Sequence, residues 1–439
     1  MLQLMIMIGI NGKKMSKKSE NNSLLLIDSS VDLSDVKFFL KKNLSTQIIS
    51  FDFESHKILK NENIPHKISD DFLKNDERLE LQKAIFEFSK WYEQYEVKDL
   101  LEYNNINLGK LYYIELFVFL IPFLKIFYEL KKISEQYDNY TFFASDFIFQ
   151  IFSKLKSDTD VTLFKTKSKN SQFLFDSINF ETNFLNIKLS RNNFNKFRNI
   201  SENFLSKFSG INKQIGSNSI LLVEFNTILY KNLFLGIHQN HLNSVYFGTR
   251  RPSIWNSKSY SIIKQSRCYI TPESKIISND LVKFINNQIN EITSKFHILL
   301  ENDTFFTKFF TFKKITFWPA LRPFFERLYY SRLNESIKTI NFANEFLKQT
   351  NPSHILVLSE SGTTEQIIIS LAKNFKIPVI LVQHGLGAYD SKESDLYNHF
   401  TGSMPITSDK FFVWGDAMKK YAQNFGISAE RIFVTGSCA

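Results

Sequence analysis

Two blocks near the end of the chain decide the fold: His354–Glu365, HILVLSESGTTE, and Ile377–Gly385, IPVILVQHG. The first reads as a buried strand that runs through a glycine turn into a helix. The second reads as another buried strand that ends in Gln383, His384 and Gly385. The order strand–helix–strand implies a parallel crossover. Open parallel sheets bind ligands outside the carboxyl ends of their strands. Both polar tips, Ser359 to Glu365 and Gln383 to Gly385, fall at that edge, so the sequence points to a small-molecule site there.

The same alternation extends outward. A strand is expected over Ser219–Phe225, a helix over 228–239 and a strand over Ser244–Gly248, followed by Thr249, Arg250, Arg251 and Pro252. Helices are expected over 280–312 and 321–348. After the two deciding blocks come a strand at Lys410–Trp414, a helix at 415–425 and a strand at Arg431–Thr435. Nearer the start, Leu24–Asp28 and Gln47–Asp52 read as strands around a helix at 31–42, a βαβ opening. Helical periodicity covers 77–102 and 108–136, and a strand at Tyr140–Asp146 leads into a helix at 147–155. Residues 157–217 are rich in Asn, Ser and Lys. They are expected to hold a weak strand near Val161–Thr166, a helix near Asn193–Phe208 and a linker at Gly210–Ser219. The expected fold class is α/β with Rossmann-like parallel sheets. Its expected parts are a disordered tail (1–22), an α/β unit with a helical insertion (23–210) and a second Rossmann-like domain (218–439).

Composition narrows the function. The 439 residues suit two or three domains, and 43% hydrophobic with 22% charged residues is ordinary for a globular protein. The 46 Phe beside abundant Asn, Lys and Ile fit the codon bias of an AT-rich genome, which also inflates Lys and the net charge of +10. No dense basic cluster with a nucleic-acid-binding motif is visible, so no nucleic-acid partner is expected. Two cysteines, Cys268 and Cys438, exclude a disulfide framework and suit a reducing cytoplasm. The apolar start, Met1–Ile10, lacks a basic lead-in and a cleavage site, and Met15 is an equally good start. The longest apolar run, Leu111–Tyr128, carries Glu115, Pro122 and Lys125, which reads as a buried kinked helix and not a membrane span. There is no phosphate-binding Walker loop, dinucleotide fingerprint or nucleophile elbow. His238 and His241 lack a third ligand, so no metal is expected.

The residues Arg250-Arg251-Pro252, ESGTTE, IPVILVQHG and the closing block Ser408–Ser437 together resemble the N-terminal half of GT-B-type sugar-nucleotide enzymes. The closing block is similar to the segment before the inter-domain crossover in UDP-N-acetylglucosamine 2-epimerases and in surface or capsule polysaccharide transferases. The resemblance covers about half the chain. Epimerases of that group carry acidic residues where this chain has Gly362 and the pair Gln383-His384, so the Gln-His-Gly form is more similar to transferases that move sugar or glycerol-phosphate units, such as the CDP-glycerol glycerophosphotransferases. The resemblance implies a GT-B-like half whose donor-binding second domain is missing beyond Gly436. It implies a nucleotide-activated sugar or polyol-phosphate donor, a glycan or lipid-linked acceptor and no resident cofactor. It also implies a cytoplasmic location with peripheral contact at the inner membrane, which suits a basic chain. Two alternatives stay open: a nucleotide-sugar 2-epimerase-like enzyme, or an inactive truncated fragment that only binds a partner.

The candidate residues follow from position. His384, at the carboxyl end of a buried strand, is placed to act as a general base on an acceptor hydroxyl, and equally to hold a loop carbonyl. Glu360 ends the preceding strand as a second candidate base, or as a solvated loop carboxylate. Ser361, Gly362, Thr363 and Thr364 open a helix whose free N–H groups favour a phosphate or carboxylate, or are simply a cap. Glu365 reads as an ordinary first-turn residue. Gln383 and Gly385, with Gly387, border the same edge. Arg250 and Arg251 offer planar forks for phosphate or carboxylate, or form a surface pair. His399 and Pro405 fall between the last two blocks, near the same cleft.

Overall fold

The structure is a computed structural model, and it describes residues 22–155, 161–166, 173, 175–181, 186–191, 193–198, 200, 218–385 and 400–438. The chain divides into two compact units: residues 1–81 with 123–170, and residues 82–122 with 171–439. Residues 82–122 thus group with the later part of the chain instead of forming an insertion within the first unit. The boundary falls inside helix α1 (Tyr113–Gln136), at Pro122.

The first unit holds a parallel sheet of β1 (Ser23–Ile27), β2 (Thr46–Ser50), β3 (Lys67–Ile68), β4 (Thr141–Ala144) and β5 (Val161–Leu163), in the order β3-β2-β1-β4-β5. Leu24, Leu25 and Leu26 are fully buried, as expected for a central parallel strand covered on both faces. Asp32 and Asp52 cap the two helices that follow β1 and β2, their carboxylates accepting from the backbone N–H of Ser34 and Ser55.

The second unit is built on six parallel strands: β6 (Ser219–Val223), β7 (Asn243–Phe247), β8 (His354–Val357), β9 (Val379–Val382), β10 (Lys410–Val413) and β11 (Ile432–Val434). Their order is β7-β6-β8-β9-β10-β11. From β6 the chain moves outward to β7, then returns to place β8 on the opposite side of β6. The sheet's topological switch point therefore lies between β6 and β8. Leu221, Leu222, Val223, Ile355, Val357 and Leu381 have essentially no exposure, which fixes the register of these strands in the core. Two helices frame the switch point: α2 (Trp318–Thr350), which buries Leu321, Phe325, Leu328, Leu333, Ile337 and Ile340, and α3 (Thr363–Phe375). Both sheets bear out the expected α/β class.

Three helix boundaries differ from expectation. The helix expected over 77–102 ends at Ser89, and a hairpin pairs Glu102–Tyr103 with Ile106–Asn107. Its loop is Asn104-Asn105, both at positive φ (52° and 62°), the two-residue turn that Asn favours. The helix expected over 280–312 stops at Leu300 and restarts at Asp303–Phe309, capped by the Asn302 side chain, before a hairpin whose loop residues Lys313 and Lys314 also have positive φ. The helix expected from 321 begins at Trp318, because Pro319 sits in its first turn, where no N–H is needed. Asn193–Arg198 are helical. Ile200 is helical too, whereas residue 199, residues 201–208 of that expected helix, most of the Gly210–Ser219 linker and the expected tail up to residue 21 lie outside the described residues. Among the described residues one helix, Lys110–Gln136, is long and apolar enough to cross a membrane, and 72% of its most apolar window is buried inside the protein.

Candidate functional site

A cavity of about 260 Å³ opens in the second unit at the carboxyl ends of β6, β7, β8 and β9. Each strand delivers one part of its wall: Glu224 from β6, Thr249 to Arg251 from β7, Leu358, Ser359, Ser361 and Gly362 from β8 and His384 from β9. Parallel strands all end on the same edge, so four segments far apart in sequence converge at the switch point.

Glu224 organises the arginine loop. Its backbone is left-handed (φ 58°) and its side chain is 2% exposed. The carboxylate accepts from the backbone N–H groups of Thr249 (2.6 Å), Arg250 (2.9 Å) and Arg251 (3.0 Å). Charge-assisted hydrogen bonds of this kind contribute about 1.5–3 kcal/mol each, enough to fix where both guanidinium groups emerge. Arg251 also donates through Nη1 to the Glu224 carbonyl at 3.2 Å.

The loop is then fastened to the start of α3. The hydroxyls of Thr249 and Thr364 are 2.5 Å apart, and Arg250 Nη2 donates to Glu365 Oε1 at 2.5 Å. The Glu365 side chain is 4% exposed, and its Oε2 has no hydrogen-bond partner. Burial pushes its carboxyl up to about 7, against the pull of Arg250 and with the nearby Glu224 charge adding to the rise. Gly362 makes this arrangement possible. A Cβ there would overlap Glu365 Oε2 and lie 2.9 Å from Arg250 Nη2, so any side chain would displace the pair. Gly362 also heads α3 with no side-chain cap, which leaves first-turn N–H groups facing the cavity edge.

His384 lines the cavity and keeps solvent access. Enough protein crowds the ring that burial lowers its pKa, with the Leu358 backbone pulling it partly back up and Arg251 pushing it further down. A neutral imidazole is the form that accepts a proton.

Other expected residues have different work. Glu360 does not line the cavity. Its carboxylate accepts from the backbone N–H groups of Ile406 (3.0 Å), Thr407 (2.9 Å) and Ser408 (2.7 Å), the same clamp that Glu224 forms on the arginine loop. The base role expected for Glu360 is therefore replaced by loop anchoring, since all three donors are already satisfied through it. Gln383, 5% exposed, links two strand ends: its Oε1 accepts from the Trp414 N–H at 2.8 Å and its Nε2 donates to the Gly385 carbonyl at 2.9 Å. Ser361 and Thr363 line the cavity while their hydroxyls donate to the carbonyls of Thr401 (2.6 Å) and Leu111 (3.2 Å). Gly387 and His399 lie outside the described residues. Among the described residues no group of three His, Cys, Asp or Glu is placed to hold a metal ion.

The far wall comes from segments the sequence did not connect to the site: Tyr112 and Glu115 at the start of α1, Arg191, and Glu335, Ser336 and Thr339 on α2. Arg332 on α2 pairs with Glu115 (2.5 and 3.1 Å) and Asp176 (2.8 Å), with Arg332 and Glu115 both below 5% exposed. Compared with known proteins, the chain matches no family model and no curated protein.

Proposed function

We propose that this chain acts in cell-surface polysaccharide assembly, as a transferase of a sugar or polyol-phosphate unit from a nucleotide-activated donor to a glycan or lipid-linked acceptor. The observation that carries this reading is the convergence, at one switch point, of a histidine whose pKa burial lowers, two arginines and an uncapped helix start. The resemblance of the 250–252, 360–365, 377–385 and 408–437 blocks to GT-B-type transferases supports it. In this reading His384 takes the proton as the acceptor O–H bond breaks. The acceptor oxygen forms a bond to the donor's anomeric carbon or phosphorus. The bond to the nucleotide phosphate breaks, and its electron pair leaves with the nucleotide toward Arg251 and the first turn of α3. Such acceptors suit a cytoplasmic protein working at the inner face of the membrane.

A second reading is favoured by Glu365. A buried carboxyl beside the 360–385 edge, with one oxygen unpartnered, fits proton exchange at a sugar carbon, as in a nucleotide-sugar 2-epimerase. One experiment separates the two. UDP-N-acetylglucosamine and CDP-glycerol are incubated with protein and a lipid-linked glycan acceptor in deuterated water. Transfer to the acceptor, lowered about 10²–10⁴-fold in His384→Ala as expected for a lost general base, supports the transferase. Deuterium at C2 of the sugar without transfer supports the epimerase. Neither product would overturn both readings.

A further inference from the structure

The first unit holds a histidine pair that has no part in the cleft. His56 sits on the helix Phe53–Asn61, and His66 lies in the loop that enters β3. His56 Nδ1 and His66 Nε2 are 2.9 Å apart, and the two rings meet edge to face with centroids 5.0 Å apart. Both residues are half-buried, so solvent and small ions reach them.

The chain between the two rings is fixed by its own backbone. Asn63 takes a left-handed conformation (φ 54°), and the Ile64 N–H donates back to the Leu59 carbonyl at 3.0 Å, a helix-ending turn of the Schellman type. Leu59 is buried, and Ile64 packs against the same apolar cluster. Pro65 keeps Ile64 out of the helical region. These contacts set the Ile64 carbonyl 2.8 Å from His66 Nδ1. A carbonyl oxygen only accepts, so His66 Nδ1 carries the proton. In the neutral ring Nε2 then turns an unshared electron pair toward His56, which closes the hydrogen bond by donating from Nδ1. His56 can carry its one proton on Nε2 instead, and that tautomer offers a second electron pair beside the first.

Fixing one ring nitrogen on a backbone carbonyl is the arrangement that orients metal-ligating histidines. Imidazole nitrogens hold zinc-sized ions at about 2.0–2.1 Å. Two such nitrogens 2.9 Å apart therefore subtend about 90° at a shared ion. Rotating the two rings turns the facing electron pairs toward that common point. The angle is the cis angle of square-planar or octahedral coordination, which suits Cu²⁺ and Ni²⁺, whereas tetrahedral Zn²⁺ needs the rings to spread. Among the described residues no third His, Cys, Asp or Glu joins the pair, so water or a small ligand completes the shell.

We infer that His56 and His66 form a bidentate site for a divalent transition metal, Cu²⁺ or Ni²⁺, that clamps the helix Phe53–Asn61 to the entry of β3. β3 is an edge strand of two residues, paired with β2 through Ile49–Lys67 and Ser50–Ile68, so a clamp there steadies a short element. The inference is independent of the transferase reading, whose cleft residues all lie in the second unit.

The test is calorimetric titration of copper(II) chloride and, separately, nickel(II) chloride into the untagged full chain after chelator stripping. Wild type is compared with His56→Gln, His66→Gln and His238→Gln, the last a histidine of the second unit. Wild type is expected to bind a single ion at this site. Losing an outer-shell partner alone costs metal sites about 10–100-fold in affinity, so either substitution within the pair should weaken binding at least about tenfold. His238→Gln should bind as wild type does. The wild-type copper complex supplies a reading that does not depend on how the variants fold: its electron paramagnetic resonance spectrum should show splitting from two nitrogen donors. No saturable binding of either ion, affinity unchanged in both pair variants, an equal loss in His238→Gln, or splitting from fewer than two nitrogens would overturn the inference.

Discussion

Replacing Glu365 by glutamine tests whether the buried carboxyl at the cleft carries a proton in the folded protein. Its side chain is 4% exposed, one oxygen is held by Arg250 and the other has no partner. Burial raises the carboxyl from 4.5 to about 7. The folded-state value lies above the unfolded one, so folding favours the protonated form. The corresponding stability is fully present below about pH 4.5 and is lost as the pH rises through about 7. At about 1.4 kcal/mol per tenfold change in proton affinity, the full loss is about 3 kcal/mol. The Glu365→Gln variant is neutral at this position throughout and would not lose it. Urea unfolding followed by tryptophan fluorescence suits the measurement, because Trp91, Trp255, Trp318 and Trp414 all lie in the second unit. Groups distant from Glu365 titrate alike in both proteins and cancel in the difference. Wild type should lose about 3 kcal/mol relative to Glu365→Gln between pH 4.5 and 8. A flat difference, or wild type gaining stability as the pH rises, would show that Arg250 keeps the carboxylate charged and would refute the reasoning.

Two further substitutions probe the same unit. Gly362→Ala places a Cβ on top of Glu365 Oε2 and should force the Arg250 pair apart. It should cost about 1–3 kcal/mol of stability, as overpacking does, and remove nucleotide binding measured by calorimetry. Arg332→Ala leaves Glu115 buried without its partner and should destabilise the second unit by about 3–5 kcal/mol in the same urea assay, a larger loss than any exposed arginine on α2 would show.

The alternation of apolar runs with helical segments placed all six strands of the second sheet, and chain order alone put the Ser359–Glu365 and Gln383–Gly385 tips on one edge. His384, Gly362 and the arginine loop were legible for that reason. Glu360 and Gln383 were legible by position but not by role. Whether a strand-end carboxylate meets ligand or backbone depends on the neighbouring loop, here Ile406–Ser408. Glu224 carried a usable signal, since it directly follows the apolar strand β6 at the same edge. Glu365 was hidden by its ordinary place in a first helical turn, because its burial depends on Arg250, 115 residues away in sequence. Arg191, Glu335 and Tyr112 had no local signal at all. They reach the cavity only through the packing of α1 and α2, a tertiary outcome that no periodicity encodes. The two hairpins at the ends of expected helices were missed because Asn104-Asn105 and Lys313-Lys314 turn tightly through positive φ, and neither pair contains glycine or proline.

The central claim is that the switch-point cleft holds a nucleotide-activated substrate, and binding of CDP-glycerol and of UDP-N-acetylglucosamine to wild type and to Arg251→Gln tests it most directly. Arg251 keeps its fork at the cleft on a loop fixed by Glu224, so its loss should remove a charge-assisted contact without disturbing the fold. Wild type is predicted to bind one of the two nucleotides, and Arg251→Gln to bind it about tenfold or more weakly, in line with about 1.5–3 kcal/mol for such a bond. No binding of either nucleotide, or equal affinity in the variant, would contradict the account.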